Sequence, residues 1–242
     1  MRSELLAGAA ALGCPLDDAQ ADRLLGYLDL LARWNKVYNL TALRDPAQML
    51  THHLLDSLAV IAPMRRHLED VGSRVRGNDE SASTFVIPAQ AGTHAPQAPL
   101  RAQPTTVLDV GSGGGLPGVV IAATQPNTTV TCVDTVQKKV TFVRQVAAEL
   151  RLPNLQARHT RVEAITDTQW PLITARAFAS LPDIVTLTRP LLAPGGVWMA
   201  MKGQHPADEI AALPADIEVF HIEPLQVPGL NAERCIVWMR SR

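Results

Sequence analysis

The stretch Thr106-Val-Leu-Asp-Val-Gly-Ser-Gly-Gly-Gly-Leu-Pro-Gly118 constrains the fold of this chain more than any other. It is a short apolar run that breaks into five glycines within eight residues. Val107, Leu108 and Val110 suit a buried strand, and the glycines let backbone amides approach a ligand where a Cβ would collide. Pro117 suits the first turn of a following helix. Strand, ligand loop and helix start in immediate succession are the opening of an alternating α/β layer structure.

The rest of the chain continues that alternation. A second strand is expected over Thr129–Asp134, a helix from Lys138 to Leu150 and a third strand over Leu155–Thr160. A fourth runs from Leu172 and leaves through Arg176 and Phe178, with Ser180-Leu-Pro-Asp183 as a capping box for the next helix. Val197–Met201 reads as a fifth strand, and His205 to Leu213 as a helix. Glu218–Val227 and Arg234–Met239, joined by Pro228-Gly-Leu-Asn231, read as an antiparallel pair. Residues 105–242 thus form a Rossmann-like, mostly parallel seven-stranded sheet with a terminal antiparallel hairpin.

Residues 1–67 read as a helical cap. Ala21, Leu24, Leu25, Leu28, Leu31 and Trp34 recur at helical spacing from a start near Asp17, and Asp45-Pro46 opens a second helix through Met49, Leu54, Leu55 and Leu58. Trp34-Asn-Lys-Val-Tyr-Asn-Leu-Thr41, between the two, is either a helix end and turn or a surface that receives substrate. Residues 68–104 are rich in Gly, Ser, Pro, Gln and Ala without sustained periodicity and read as a flexible low-complexity insertion, with Phe85-Val-Ile87 as its one short strand pattern.

In sheets of this kind ligands sit at the carboxyl ends of the strands, so the strand exits are the candidate site. Gly113, Gly115 and Gly118 alone satisfy G-x-G-x-x-G and admit a dinucleotide cofactor. Asp109, two residues before the first glycine, with Asp-Val-Gly-Ser-Gly-Gly-Gly, is similar instead to the first motif of S-adenosylmethionine-dependent methyltransferases. Asp134 suits ribose hydroxyls under either reading. Val162 and Glu163 offer an apolar contact and an acceptor for adenine, Arg176 leaves the fourth strand where transfer would occur, and Lys202 with Gly203 follows the fifth. Phe178 is a candidate for stacking on a base or, more in keeping with an apolar side chain, for core packing. His52, His53 and Asp56 have helical spacing for a metal site, but no third strong ligand follows. A polar helix face against the sheet is the better reading, and no metal is expected.

The composition is that of a soluble globular protein, 47% hydrophobic and 19% charged, and no apolar run is long enough for a membrane helix, which points to the cytoplasm. Cys14, Cys132 and Cys235 are too scattered for zinc and read as buried thiols. A net charge of -1 argues against a broad nucleic-acid-binding surface while leaving room for a local patch, for which Lys36, Arg44, Lys138, Lys139, Arg144 and Lys202 are the nearest basic residues.

Trp34–Thr41, His53-Leu-Leu-Asp-Ser57, Asp109–Gly118, Lys138-Lys139, Arg161-Val-Glu163, Arg176-Ala-Phe-Ala179 and Lys202-Gly203 together resemble the bacterial 16S ribosomal RNA (guanine-N7) methyltransferase family, also called glucose-inhibited division protein B. The resemblance runs nearly the whole chain and departs from it only over about 70 to 104. It implies a class I S-adenosyl-L-methionine-dependent methyltransferase fold and methylation of N7 of guanine 527 of 16S rRNA in the small ribosomal subunit. Another RNA or a small molecule is the alternative substrate. The cofactor residues it implies are Gly111, Leu116, Val162, Glu163 and Arg176. The loop and strand topology add Gly113 and Asp134, and Lys36, Asn39 and Lys202 are the expected substrate contacts. No catalytic base is expected, because guanine N7 already carries a lone pair and loses no proton. A monomer is expected.

Overall fold

The computed structural model describes residues 1–69 and 105–242. The expected insertion therefore lies outside the described residues, except for 68 and 69, which belong to a helix.

Seven strands form one sheet: β1 (Thr105–Val110), β2 (Thr128–Asp134), β3 (Leu155–His159), β4 (Trp170–Arg176), β5 (Leu192–Lys202), β6 (Ile217–Leu225) and β7 (Arg234–Ser241). Their order is β3-β2-β1-β4-β5-β7-β6. The first five are parallel, whereas β7 runs antiparallel between β5 and β6. The order reverses at β1, so the crevice between β1 and β4 is the topological switch point where such sheets bind ligands. Because β7 is antiparallel, its first residue, Arg234, lies at the same edge as the carboxyl ends of β1 to β5.

Among the described residues four helices make the cap: α1 (Arg2–Ala11), α2 (Asp18–Tyr38), α3 (46–58) and α4 (61–69). α2 starts with a full capping box in which Asp17 accepts from Gln20 N–H and the Gln20 side chain accepts from Asp17 N–H. α3 begins at Pro46–Met49 behind the Asp45 cap, widens to π geometry over Leu50–Leu55 and returns to α over Asp56–Leu58. The sheet is flanked by α5 (Gly118–Thr124), α6 (Gln137–Glu149), α7 (Leu181–Thr188) and α8 (Ala207–Ala211). Ser180 caps α7 by accepting from Asp183 N–H at 3.3 Å and donates to the Asp183 carboxylate. β5 begins five residues before the expected Val197, and α8 is shorter than the expected helix from His205 to Leu213.

The cap is built into the core. Leu24, Leu28, Leu31, Leu54 and Leu58 belong to the same buried apolar cluster as Val107, Val119, Val130 and Phe142 beneath the sheet. Tyr27 is fully buried, and its hydroxyl donates to the Gly114 carbonyl at 2.9 Å, so a cap helix directly supports the glycine loop. Lys138 Nζ donates to the Tyr38 carbonyl from the other side. The three cysteines are free and buried.

Candidate functional site

The loop after β1 has its shape because its backbone can enter left-handed conformations. Gly111 has φ +63°, and its N–H, with that of Ser112, donates to the Val133 carbonyl at 2.8 and 3.2 Å, tying the loop to the end of β2. A Cβ on Gly111 would stand 2.0 Å from Phe178 Cδ2, so the close approach of that ring requires glycine. At Gly118 the limit is helix against strand: a Cβ would meet Cys132 Sγ at 2.6 Å and Asp109 Oδ2 at 2.7 Å.

Asp109 holds the loop from below. It is fully buried, and Oδ2 accepts from the Gly118 N–H at 2.8 Å while Oδ1 has no partner. Burial lifts its carboxyl to about 7 despite the Gly118 amide, which pulls the other way. Asp134, also buried, braces the loop from the side: Oδ2 accepts from Gly113 N–H at 3.0 Å and Oδ1 from Val136 N–H at 2.8 Å. The carboxylate expected to meet ribose is thus fixed by two backbone amides, with its second lone pairs left for a ligand.

Two adjoining cavities lie along this edge and share Gly111, Lys139 and Ala177. The smaller, about 370 Å³, is walled by Val133, Val136, Val162 and Leu187 and edged by Asp134 and Glu163. An apolar slot with carboxylates at its rim fits the flat ring and hydroxyl donors of an adenosyl group. The larger, about 520 Å³, joins the glycine loop and Leu116 to Thr41, His53, Asp56, Arg176, Lys202 and Arg234. All seven expected cofactor residues line one cavity or both.

The expected substrate residues behave differently. Lys202 lines the larger cavity, but its ammonium is held by Glu209 at 2.7 Å and by the Ala179 carbonyl at 3.0 Å. Lys36 and Asn39 are exposed and line neither cavity. Asn39 closes α2 at φ +49° and accepts from Arg44, while buried Asn35 holds Thr41 N–H and the Leu43 carbonyl. The polar residues of 34–41 therefore build a helix end and turn. Core packing of Phe178 is corrected: Ala177, at φ +51°, turns the chain out of β4, and the ring stands on Gly111, 36% exposed.

His53 and Asp56 face the sheet. His53 is buried with Nε2 3.0 Å from Thr41 Oγ1, and burial lowers its imidazole to about 4, so it is neutral at pH 7. Asp56 is 3% exposed and receives Arg176 Nη1 on Oδ2 at 3.0 Å and Arg234 Nε on Oδ1 at 2.8 Å. Arg176 also donates to the His52 carbonyl at 3.0 Å. With both Asp56 oxygens taken by guanidiniums, this helix face is not a metal site. Among the described residues no cluster of three or more His, Cys, Asp or Glu could hold an ion. No helix among them is long and apolar enough to cross a membrane. Arg234 is the site residue that sequence reasoning missed: it begins the last strand, far from every motif, and carries no local pattern.

Comparison with known proteins agrees with this geometry. The family model described as rRNA small subunit methyltransferase G matches residues 20–74 and 97–237. The ribosomal RNA small subunit methyltransferase G of Leptothrix cholodnii is 64% identical over 241 residues, covering 100% of this chain and 96% of the relative. That of Methylibium petroleiphilum is 54% identical, covering 97% and 92%, and that of a Polaromonas species is 52% identical, covering 99% and 93%. The loop, the strand exits and the relatives agree: the chain belongs to the rRNA small subunit methyltransferase G family.

Proposed function

We propose that the protein methylates N7 of guanine 527 of 16S rRNA in the small ribosomal subunit, using S-adenosyl-L-methionine. One observation carries the reading: two joined cavities at the switch point bring the glycine loop, Asp134, Val162, Glu163 and Arg176 together beside a cationic pocket. S-adenosylmethionine supplies, when bound, an electrophilic methyl group on a sulfonium. Val162 would pack against the adenine, Glu163 and Asp134 would accept from its amino and ribose donors, and Gly111, Gly113 and Leu116 would line the path toward Arg176.

The remaining residues position the substrate and exchange no proton. Guanine N7 attacks with its own lone pair, so no general base is needed. His53 is neutral, held by Thr41 through Nε2 and buried at Nδ1, Asp56 is saturated by two arginines, and Asp109 lies under the loop and lines neither cavity. Holding the reacting atoms at roughly 3 to 3.5 Å can supply on the order of 7 to 11 kcal/mol, enough to be the main term. Residues 1–67 act as the cap and 105–242 as the methyltransferase domain, with 68–104 inserted between them. The chain acts as a monomer in the cytoplasm, with Lys36 and Asn39 on the exposed surface that meets the RNA and Lys202, tied to Glu209, in the wall of the larger cavity.

The test is incubation of the purified protein with labelled S-adenosylmethionine and either small subunits or bare 16S rRNA, followed by mapping of the label. Label at N7 of guanine 527 is the expected result. Label at another base, or transfer only to small molecules, overturns the reading.

A further inference from the structure

The cation count at the larger cavity does not close. Lys202 is matched by Glu209 at 2.7 Å, and Lys139 approaches Asp134 at 3.8 Å. Arg176 and Arg234 are both matched to the single carboxylate of Asp56. Two guanidiniums that share one buried carboxylate leave one positive charge uncompensated. Their side chains are only 21% and 24% exposed, so water screens that charge poorly. The Arg176 and Arg234 side chains also keep N–H groups beyond those bound to Asp56, His52 and Glu233, and a guanidinium fork suits a phosphate.

Position decides which anion belongs there. The cofactor residues lie at or just beyond the carboxyl ends of β1, β2, β3 and β4. Arg234 begins β7, two strands beyond β4, roughly 10 Å away at the ordinary strand spacing. It lines the larger cavity and not the adenosyl slot, so an anion held there lies beside the cofactor residues and not among them. We propose that Arg234, oriented by Asp56 and paired through it with Arg176, binds a backbone phosphate of the RNA next to the target nucleotide. Asp56 is then a positioning residue that spaces the two guanidiniums. The proposal rests on the RNA methylation reading and deepens it. It also explains how a chain of net charge -1 grips RNA: the charge is concentrated in a half-buried clamp, where it is worth more than on an open surface.

The experiment measures affinity of the full chain for 16S rRNA across a salt series, beside cofactor affinity without RNA and the melting temperature. The proteins are wild type, Arg234→Gln, Arg234→Lys and the double variant Asp56→Asn with Arg234→Gln. Arg234→Gln is expected to weaken RNA binding on the order of tenfold and to lower the salt slope by about one, with cofactor affinity unchanged. Arg234→Lys keeps the slope and loses part of the affinity, because the charge remains and the fork does not. If Arg234→Gln unfolds because Asp56 is left underpaired, the double variant removes that buried charge and decides by its slope. Loss of cofactor affinity with the wild-type slope overturns the proposal in favour of a cofactor ligand. An unchanged slope and unchanged cofactor affinity reduce the clamp to a structural tie and overturn it too. A wild-type protein that neither binds nor methylates 16S rRNA refutes the underlying reading itself, a result no Arg234 variant can mimic.

Discussion

Replacing Asp109 by Asn should remove the pH dependence that this one side chain imposes on stability. The carboxyl is fully buried, with one oxygen bound to Gly118 N–H and the other unpaired, and burial raises it from 3.8 to about 7. The unfolded chain ionises near the ordinary value. Between these two values the unfolded state therefore holds fewer protons than the folded state, and stability falls as pH rises. The contribution is fully present below about pH 4 and lost as pH passes through about 7; from pH 5 to pH 8 the loss is roughly 2 to 3 kcal/mol.

His53 acts in the opposite sense. Its imidazole is lowered to about 4, so its contribution is present above the unfolded value of 6.5 and lost as pH falls. The wild-type profile alone therefore hides both groups, and the difference between wild type and variant isolates Asp109. Asn can still accept from Gly118 N–H, but its amide stands where Oδ1 has no partner, a pH-independent cost of about 1 to 3 kcal/mol. Asn should then be the less stable protein, or an equal one, at pH 5 and gain on wild type by roughly 2 to 3 kcal/mol at pH 8. Urea titrations at the two pH values read this directly. A stability difference between the two proteins that is the same at pH 5 and pH 8 refutes the assignment of a raised carboxyl to Asp109.

Gly111→Ala should lower stability by about 1 to 3 kcal/mol through its left-handed φ and its clash with Phe178, and should remove cofactor binding in calorimetry. Adding Phe178→Ala relieves only the clash, so full recovery of stability would show that the backbone conformation carries no cost. Arg176→Ala should weaken cofactor binding and cut turnover even at saturating RNA, whereas Lys36→Ala should leave cofactor affinity intact and lower the salt slope of RNA binding by about one. A Lys36→Ala protein with the wild-type slope would remove that residue from the RNA surface. Replacing residues 73 to 101 by a short Gly-Ser linker should leave the melting temperature and cofactor affinity nearly unchanged, because the sequence there has no core-forming periodicity, and a chain that no longer folds would contradict that.

The sheet and the residues that line the two cavities from the exits of β1 to β4 were legible because their signals are local. A strand that ends in Asp or in glycines announces its exit within a few residues, and the exits of β1 to β4 fall at one edge by topology alone. The pairing of charges around Asp56 and Lys202 was not legible, since those contacts are made by the fold. Asp56 reads as one polar position on a helix, yet its partners come from 120 and 178 residues away, and neither arginine advertises the meeting. Lys202 reads as a free cation because Glu209, which captures it, sits on a helix that only the turn after β5 brings back. The π segment of α3 was equally hidden: a helical period of 3.6 describes its apolar residues well enough, and nothing in that period marks the His52 carbonyl as the one that receives Arg176. Composition misled for the same reason. A net charge of -1 averages over the chain, while the larger cavity is lined by Lys139, Arg176, Lys202 and Arg234 with Asp56 as its one carboxylate, and an anionic substrate meets that local field and not the average.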